Sequence, residues 1–184
     1  ICGICGITHS ISFSRAVEQI AQIQVPNRAH YIRSIVGELE RIHSHLLWAG
    51  VAAHELGFDS AFYLAWRVRE NVMDLLEYLT GNRVHYAIIQ IGGVRRDITR
   101  DQFPRIEESM KFFEDAYAKL AAVFLDDTTV QMRCRDCGVL TTDEARLLCP
   151  VGPAARASGI KKDVRVDHSY AAYGDLEIDY MTPD

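Results

Sequence analysis

Apolar residues at helical spacing run through most of the chain up to about residue 132 and leave little choice of architecture. After Pro26, the residues Ile32, Ile35, Val36, Leu39, Ile42, Leu46, Ala49, Ala53 and Leu56 recur at i, i+3, i+4, i+7 until Gly57. That rhythm predicts a helix of roughly 30 residues, about 45 Å long. Asp59 or Ser60 can cap a second helix carrying Phe62, Leu64, Ala65, Val68, Val72, Leu75, Leu76 and Leu79, which Gly81 closes. Two long helices joined by so short a turn should pack antiparallel. A third long helix is predicted from Pro104 to Met132 through Met110, Phe113, Ala116, Tyr117, Leu120, Val123 and Phe124. The expected fold is mainly α, a bundle of long antiparallel helices with a short extended segment.

That extended segment is "HYAIIQIGGVRRDIT", an apolar run too short for a helix that leads into a Gly-Gly turn. Ile11, Ala16, Val17 and Ile20 predict a further helix from Thr8 to Ile23. Thr141 and Glu144 form a capping-box signature for a short helix ending near Cys149 and Pro150. Beyond Pro150 the chain is less periodic and rich in Gly, Pro and Tyr, as expected of a loop or small sheet closing the end of the bundle. There is no repeat or linker, so residues 1–184 are expected to form a single, partial domain, long enough to bury a sizeable core.

Composition narrows the function classes. With 48% hydrophobic and 24% charged residues and a net charge of −5, nothing tracks phosphates and no nucleic-acid partner is expected. Charges interrupt every apolar stretch before it reaches the roughly 20 residues of a membrane span, so any membrane association should come through a partner. The first residues lack the basic and apolar regions of a signal peptide, which favours an intracellular reading.

The chemistry concentrates at the start, "ICGICGITHS". Five cysteines are an odd number, and their CxxC spacing does not suit a secreted disulfide framework, so they are read as reduced thiols. Cys2 and Cys5 can meet one ion, and a following helix N-terminus favours the thiolate form that metals require. Such soft donors select zinc, copper(I), iron-sulfur clusters or nickel-iron chemistry. His9, four residues after Cys5, is placed as a ligand or as a hydrogen-bond partner of a thiolate sulfur. Cys134 and Cys137 form a second CxxC that could complete four thiolates around zinc, but more than a hundred residues separate the pairs, unlike compact zinc modules. The plainer expectation is that Cys134, Cys137 and Cys149 are small buried hydrophobes near helix ends.

"ICGICGITHS" resembles the N-terminal cysteine motif of nickel-iron hydrogenase large subunits. "VPNRAHYIRSIVGELERIHSHLLWAG", "HELGFDSAFYLAWRVRE", "QIGGVRRDI" and "VGPAARASGIKKDVRVDHSYAAY" are similar to the membrane-bound, energy-converting branch of that family. The same stretches resemble the catalytic-core subunit of respiratory complex I, which keeps the helical scaffold without the metal cysteines and binds quinone. The presence of Cys2 and Cys5 favours the hydrogenase. The resemblance implies reversible reduction of protons to hydrogen at a nickel-iron centre whose iron carries cyanide and carbon monoxide. Cys2 would be a terminal nickel ligand, Cys5 a thiolate bridging nickel and iron, and His9 a residue orienting the bridging sulfur.

Family membership further implies an iron-sulfur small subunit, integral membrane subunits, ferredoxin as electron donor, coupling to ion movement, and a peripheral position on the cytoplasmic face of the membrane. The family's second cysteine pair, Asp-Pro-Cys-x-x-Cys, is absent here, as are the glutamate and Arg-Gly segment that precede the first pair. The chain also begins without methionine, so it reads as a catalytic-subunit fragment incomplete at both ends, inert by itself. Cys134 and Cys137 fall where family counterparts are not ligands.

Glu55 falls where the complex I relative has an acidic residue facing its quinone cavity, which makes it a possible proton relay; it could equally be a solvated helix-end glutamate. His43 and His45 are expected as interior or interface histidines. Arg95, Arg96, Arg156, Lys161 and Lys162 are expected to brace loops or meet neighbouring subunits. Two rivals stay open: a quinone-binding, proton-coupling scaffold with vestigial cysteines, and a non-enzymatic zinc-stabilised interaction module.

Overall fold

The computed structural model describes residues 2–182. The helix after the cysteine motif, α1, spans Gly6–Ala21; α2 spans Asn27–Glu55 and α3 spans Asp59–Thr80. A short antiparallel hairpin, β1 (Ile89–Gln90) and β2 (Gly93–Val94), precedes α4 (Phe103–Asp126) and α5 (Thr128–Cys134). The rest is short helices: α6 (Thr142–Leu148), α7 (Pro153–Ala157) and α8 (Val164–Asp167). The chain forms two compact units, Ile1–Arg133 and Cys134–Asp184. Among the described residues no helix is long and apolar enough to cross a membrane.

The first unit is built on the α2–α3 hairpin. Gly50 meets Ala65 and Trp66, while His43 meets Arg69, so the partner number rises as the α2 number falls and the helices run antiparallel. Ile32, Val36 and Leu39 of α2 and Val72, Leu75, Leu76 and Leu79 of α3 are all buried, each contributing about 1.5–3 kcal/mol relative to exposure. Gly50 has a steric reason: a Cβ there would lie 2.9 Å from the Trp66 indole. Leu56 caps α2, and Gly81, at φ +87°, ends α3 as anticipated. The start of α3 differs in detail, because Asp59 is its first helical residue rather than a cap and accepts from His54 Nδ1 at 2.8 Å.

Two sequence expectations need correction. The predicted third helix is broken: Asp127 takes an extended conformation (φ −68°, ψ 123°) and its carboxylate accepts from Thr129 N (2.8 Å) and Val130 N (3.1 Å), capping a new helix. The buried face of α1 is also rotated from the one expected. Ile7, Ile11, Ser14 and Glu18 are buried, whereas Ala16 and Ile20 are exposed.

Glu18 tolerates burial because Arg33, 0% exposed, pairs with it through Nη1 (3.1 Å) and Nη2 (2.6 Å). The same guanidinium donates to the carbonyls of Gln90 and Gly93, and Glu18 Oε1 accepts from Gly92 N at 2.8 Å. The Glu18–Arg33 pair therefore fastens the Gly-Gly hairpin to both α1 and α2. Gly92, at φ +82°, supplies the left-handed residue this two-residue turn requires.

In the second unit the capping box is present as predicted. Glu144 N donates to Thr141 Oγ1 (3.3 Å) and Thr141 N to Glu144 Oε2 (3.0 Å). Beyond Pro150 short helices replace the expected loop or sheet, organised by Asp163. It caps α8, receives Arg156 and Arg165, and is held down to about 2 chiefly by its Arg165 bond.

Candidate metal centre

The CxxC loop runs directly into α1, with Cys5 at the N-cap position but making no side-chain cap. The capping carboxylate comes from α2 instead. Glu40 Oε1 accepts from Ile7 N at 2.7 Å, and Oε2 accepts from Thr8 N at 3.1 Å and Thr8 Oγ1 at 3.3 Å. A helix start needs acceptors for its free N–H groups and favours negative charge, so Glu40 fixes how the cysteine loop enters the bundle. Only 3% of Glu40 is exposed; burial raises its pKa, and the bonds from Ile7 and Thr8 partly offset that.

The two thiols act as a pair. The neighbouring Cys5 thiol, then the Ile4 backbone, lowers the Cys2 pKa, while Cys2 raises that of Cys5, and Ile4 N donates to Cys2 Sγ at 3.3 Å. Cys2 is exposed and Cys5 half-buried, and Cys2 is the thiol that ionises first. Two such donors could hold half of a four-thiolate set around a soft metal. Among the described residues no three or more His, Cys, Asp or Glu side chains come together as a metal-binding group.

His85, from the α3–β1 connection, packs over the loop. A Cβ on Gly6 would sit 3.4 Å from His85 Nδ1, and one on Gly3 would sit 3.7 Å from Val84 and 3.9 Å from His85 Nε2. His85 and Ala87 both have positive φ, +55° and +49°, a conformation costing roughly 1–3 kcal/mol per non-glycine residue and enriched at functional sites. Beside the loop lies a cavity of about 420 Å³ whose lining includes His9, Phe13, His85 and Tyr86.

Behind the loop, His43 is fully buried. Its Nδ1 accepts from Arg69 Nε at 3.1 Å, and Nε2 finds no hydrogen-bond partner among the described residues. Burial, then the Arg69 charge, lowers its pKa to about 4 despite the Ile4 backbone beside the ring, so it stays neutral. Tyr86 is pushed up to about 12, first by burial and then by the Glu40 charge.

Of the residues expected from sequence, Cys2, Cys5 and His9 share one end of α1. His9 is exposed on the cavity wall, and its backbone N–H bonds to Cys5 O at 3.2 Å. Glu55 is exposed at the far end of α2, about 22 Å along the helix axis from Glu40, so it does not join the thiols. His43 is the interior histidine anticipated. Cys134, Cys137 and Cys149 lie near helix ends but are exposed, which overturns their expected burial: each sits in or beside a turn rather than on a packed face. Glu40 and His85 were missed. Glu40 had a signal, because Arg33, Val36, Glu40 and His43 share one helical face of α2 and are all buried; His85 had none in periodicity.

Two neighbouring thiols at the start of α1, on a mainly helical scaffold, define a candidate thiolate metal site. The chain belongs to the family described as respiratory-chain NADH dehydrogenase, 49 Kd subunit, whose profile matches residues 55–184, while residues 1–49 match the nickel-dependent hydrogenase family. The chain is similar to the membrane-bound hydrogenase subunit alpha of Pyrococcus furiosus, at 48% identity over 100% of this chain and 43% of that one. It is also similar to formate hydrogenlyase subunit 5 of Escherichia coli, at 41% identity over 97% of this chain and 32% of that one. The solved structure of the membrane-bound sulfane sulfur reductase, an archaeal respiratory membrane complex, matches with a TM-score of 0.85 and 31% identity, covering 90% of this chain and 45% of that one. The chain thus spans less than half the length of these relatives.

Proposed function

We propose that this chain is part of the catalytic subunit of an energy-converting, membrane-bound nickel-iron hydrogenase, catalysing reversible reduction of two protons by two electrons to hydrogen. The observation that carries the reading is the Cys2–Cys5 pair, set at the head of α1 within the segment that matches nickel-dependent hydrogenases. Cys2 and Cys5 would hold the nickel-iron centre, Cys2 as a thiolate ligand of nickel and Cys5 as a thiolate serving both metals, with cyanide and carbon monoxide completing the iron's set. When bound, the nickel-iron centre supplies the Lewis-acidic and redox chemistry for making or splitting hydrogen.

The chain's own residues hold and prepare that site. Cys2, the more acidic thiol, offers a sulfur that can take up and release a proton. Glu40 anchors the helix behind the loop, so both sulfurs keep their place relative to the bundle. His9 and His85 line the cavity beside the loop, and His9 would orient the Cys5 sulfur. Glu55, far along α2, is suited to exchanging protons with solvent or a neighbouring subunit rather than with the thiols. Electrons arrive from ferredoxin through iron-sulfur clusters of a small subunit, and integral membrane subunits hold the assembly at the cytoplasmic face and couple it to ion movement.

A quinone-binding, proton-coupling scaffold is the second reading, favoured by the larger match of residues 55–184 to the complex I subunit. Metal analysis separates the two. In the full-length complex purified without oxygen, the hydrogenase reading expects nickel and iron by mass spectrometry, and loss of both nickel and hydrogen evolution in Cys2→Ser. A nickel-free wild-type complex supports the scaffold.

A further inference from the structure

The second cysteine pair takes no part in the proposed centre, yet its geometry is specific. Helix α5 ends at Cys134, and the backbone at once folds back: Cys137 N donates to Cys134 O at 3.2 Å, closing a turn over Cys134, Arg135, Asp136 and Cys137. Asp136 takes φ +60° and Gly138 φ +65°, left-handed positions that Asp tolerates and Gly adopts freely. A turn of this kind brings its first and fourth Cα atoms within about 7 Å. A disulfide needs about 4.4–6.8 Å. Both thiols are exposed, and a Cβ on Gly138 would meet nothing within 4 Å, so a reagent can reach Cys137.

We infer that Cys134 and Cys137 are a redox-active dithiol that closes reversibly to a disulfide across this turn. The pair suffices for that bond, whereas a tetrahedral zinc site would need two more ligands from outside the turn. In the exchange, one cysteine thiolate attacks a small-molecule disulfide RSSR, forming a mixed disulfide and releasing one RS⁻. The second cysteine thiolate then attacks the protein sulfur of that mixed disulfide and releases the other RS⁻. Two cysteine thiols and RSSR become one protein disulfide and two RSH, the two cysteine protons passing to the released thiolates. So short a loop gains little from chain-entropy restriction, which suits a bond that opens and closes with the thiol poise rather than a structural one. In sequence the turn opens the second compact unit, Cys134–Asp184.

The test uses the full-length complex, equilibrated without oxygen in glutathione buffers of graded oxidised-to-reduced ratio, acid-quenched, alkylated and digested with trypsin. Cleavage after Arg133, Arg135 and Arg146 separates the two cysteines. The expected result is a linked pair of peptides, Cys134–Arg135 with Asp136–Arg146, replacing two alkylated thiols as the buffer becomes oxidising and reverting on reduction. In Cys134→Ser, Cys137 should carry glutathione instead. Two results would overturn the inference: both cysteines alkylated at every ratio, or thiols that react only after removal of a bound zinc ion.

Discussion

Replacing Arg33 with methionine isolates the contact that fixes the hairpin to the helices. The substitution preserves an apolar stem but removes both bonds to Glu18 and those to the carbonyls of Gln90 and Gly93, leaving Glu18, with a side chain only 7% exposed, bonded to Gly92 N. Breaking a buried ion pair by deleting one partner costs about 3–5 kcal/mol, most of it the penalty of a stranded charge. At an m-value of about 1–3 kcal/mol/M in urea, the midpoint should fall by at least about 1 M, measured by circular dichroism at 222 nm. Glu18→Leu with Arg33→Met removes the stranded charge as well, so the double variant should be more stable than Arg33→Met alone, though below wild type because three backbone groups still lose partners.

The acid response should change sign as well. Wild-type Glu18 has a folded pKa below its unfolded value, chiefly through the Arg33 bond. Its contribution is therefore complete above the unfolded carboxylate pKa and lost as pH falls through the folded one. In Arg33→Met, burial without its partner raises the Glu18 pKa, so acid should relieve rather than add to the defect. A cost under about 1 kcal/mol, or a double variant no better than the single, would refute this account of the hairpin.

Glu40→Ala removes the acceptor for Ile7 N and Thr8 N and should destabilise by about 1–2 kcal/mol, moderated because a buried carboxylate is also removed. Since the folded Glu40 pKa is raised, wild type should lose stability as pH climbs from the unfolded carboxyl value to the folded one, and Glu40→Ala should lack that loss in a pH series of melts. Gly50→Ala places a Cβ 2.9 Å from the Trp66 indole and should cost about 1–3 kcal/mol with a shift in tryptophan emission. Asp127→Ala removes the cap of α5 and should cost about 1 kcal/mol in urea unfolding.

What the sequence made legible was apolar periodicity. Helices α2 and α3 follow because Ile32, Val36, Val72 and Leu76 keep strict helical spacing, and α6 follows from the Thr141–Glu144 box. The break at Asp127 was hidden because apolar spacing continues across it to Val130, and only the local carboxylate bonds show that the helix restarts. The face of α1 was misjudged for the opposite reason. Glu18 looks solvent-facing until Arg33, 15 residues away, neutralises it inside.

At the site, the thiols were legible from their spacing, but their support was not. Glu40 reaches α1 from 32 or 33 residues away, and His85 arrives from the far side of α3. Long-range polar partners leave no local pattern. They become visible only when the backbone brings them together, as the helical face shared by Arg33, Glu40 and His43 shows.

The most direct test of the central claim is nickel content per full-length catalytic subunit, compared between wild type and Cys2→Ser after anaerobic purification. The account predicts close to one nickel per wild-type subunit and almost none in the variant. Nickel retained in Cys2→Ser, or absent from wild type, would contradict it.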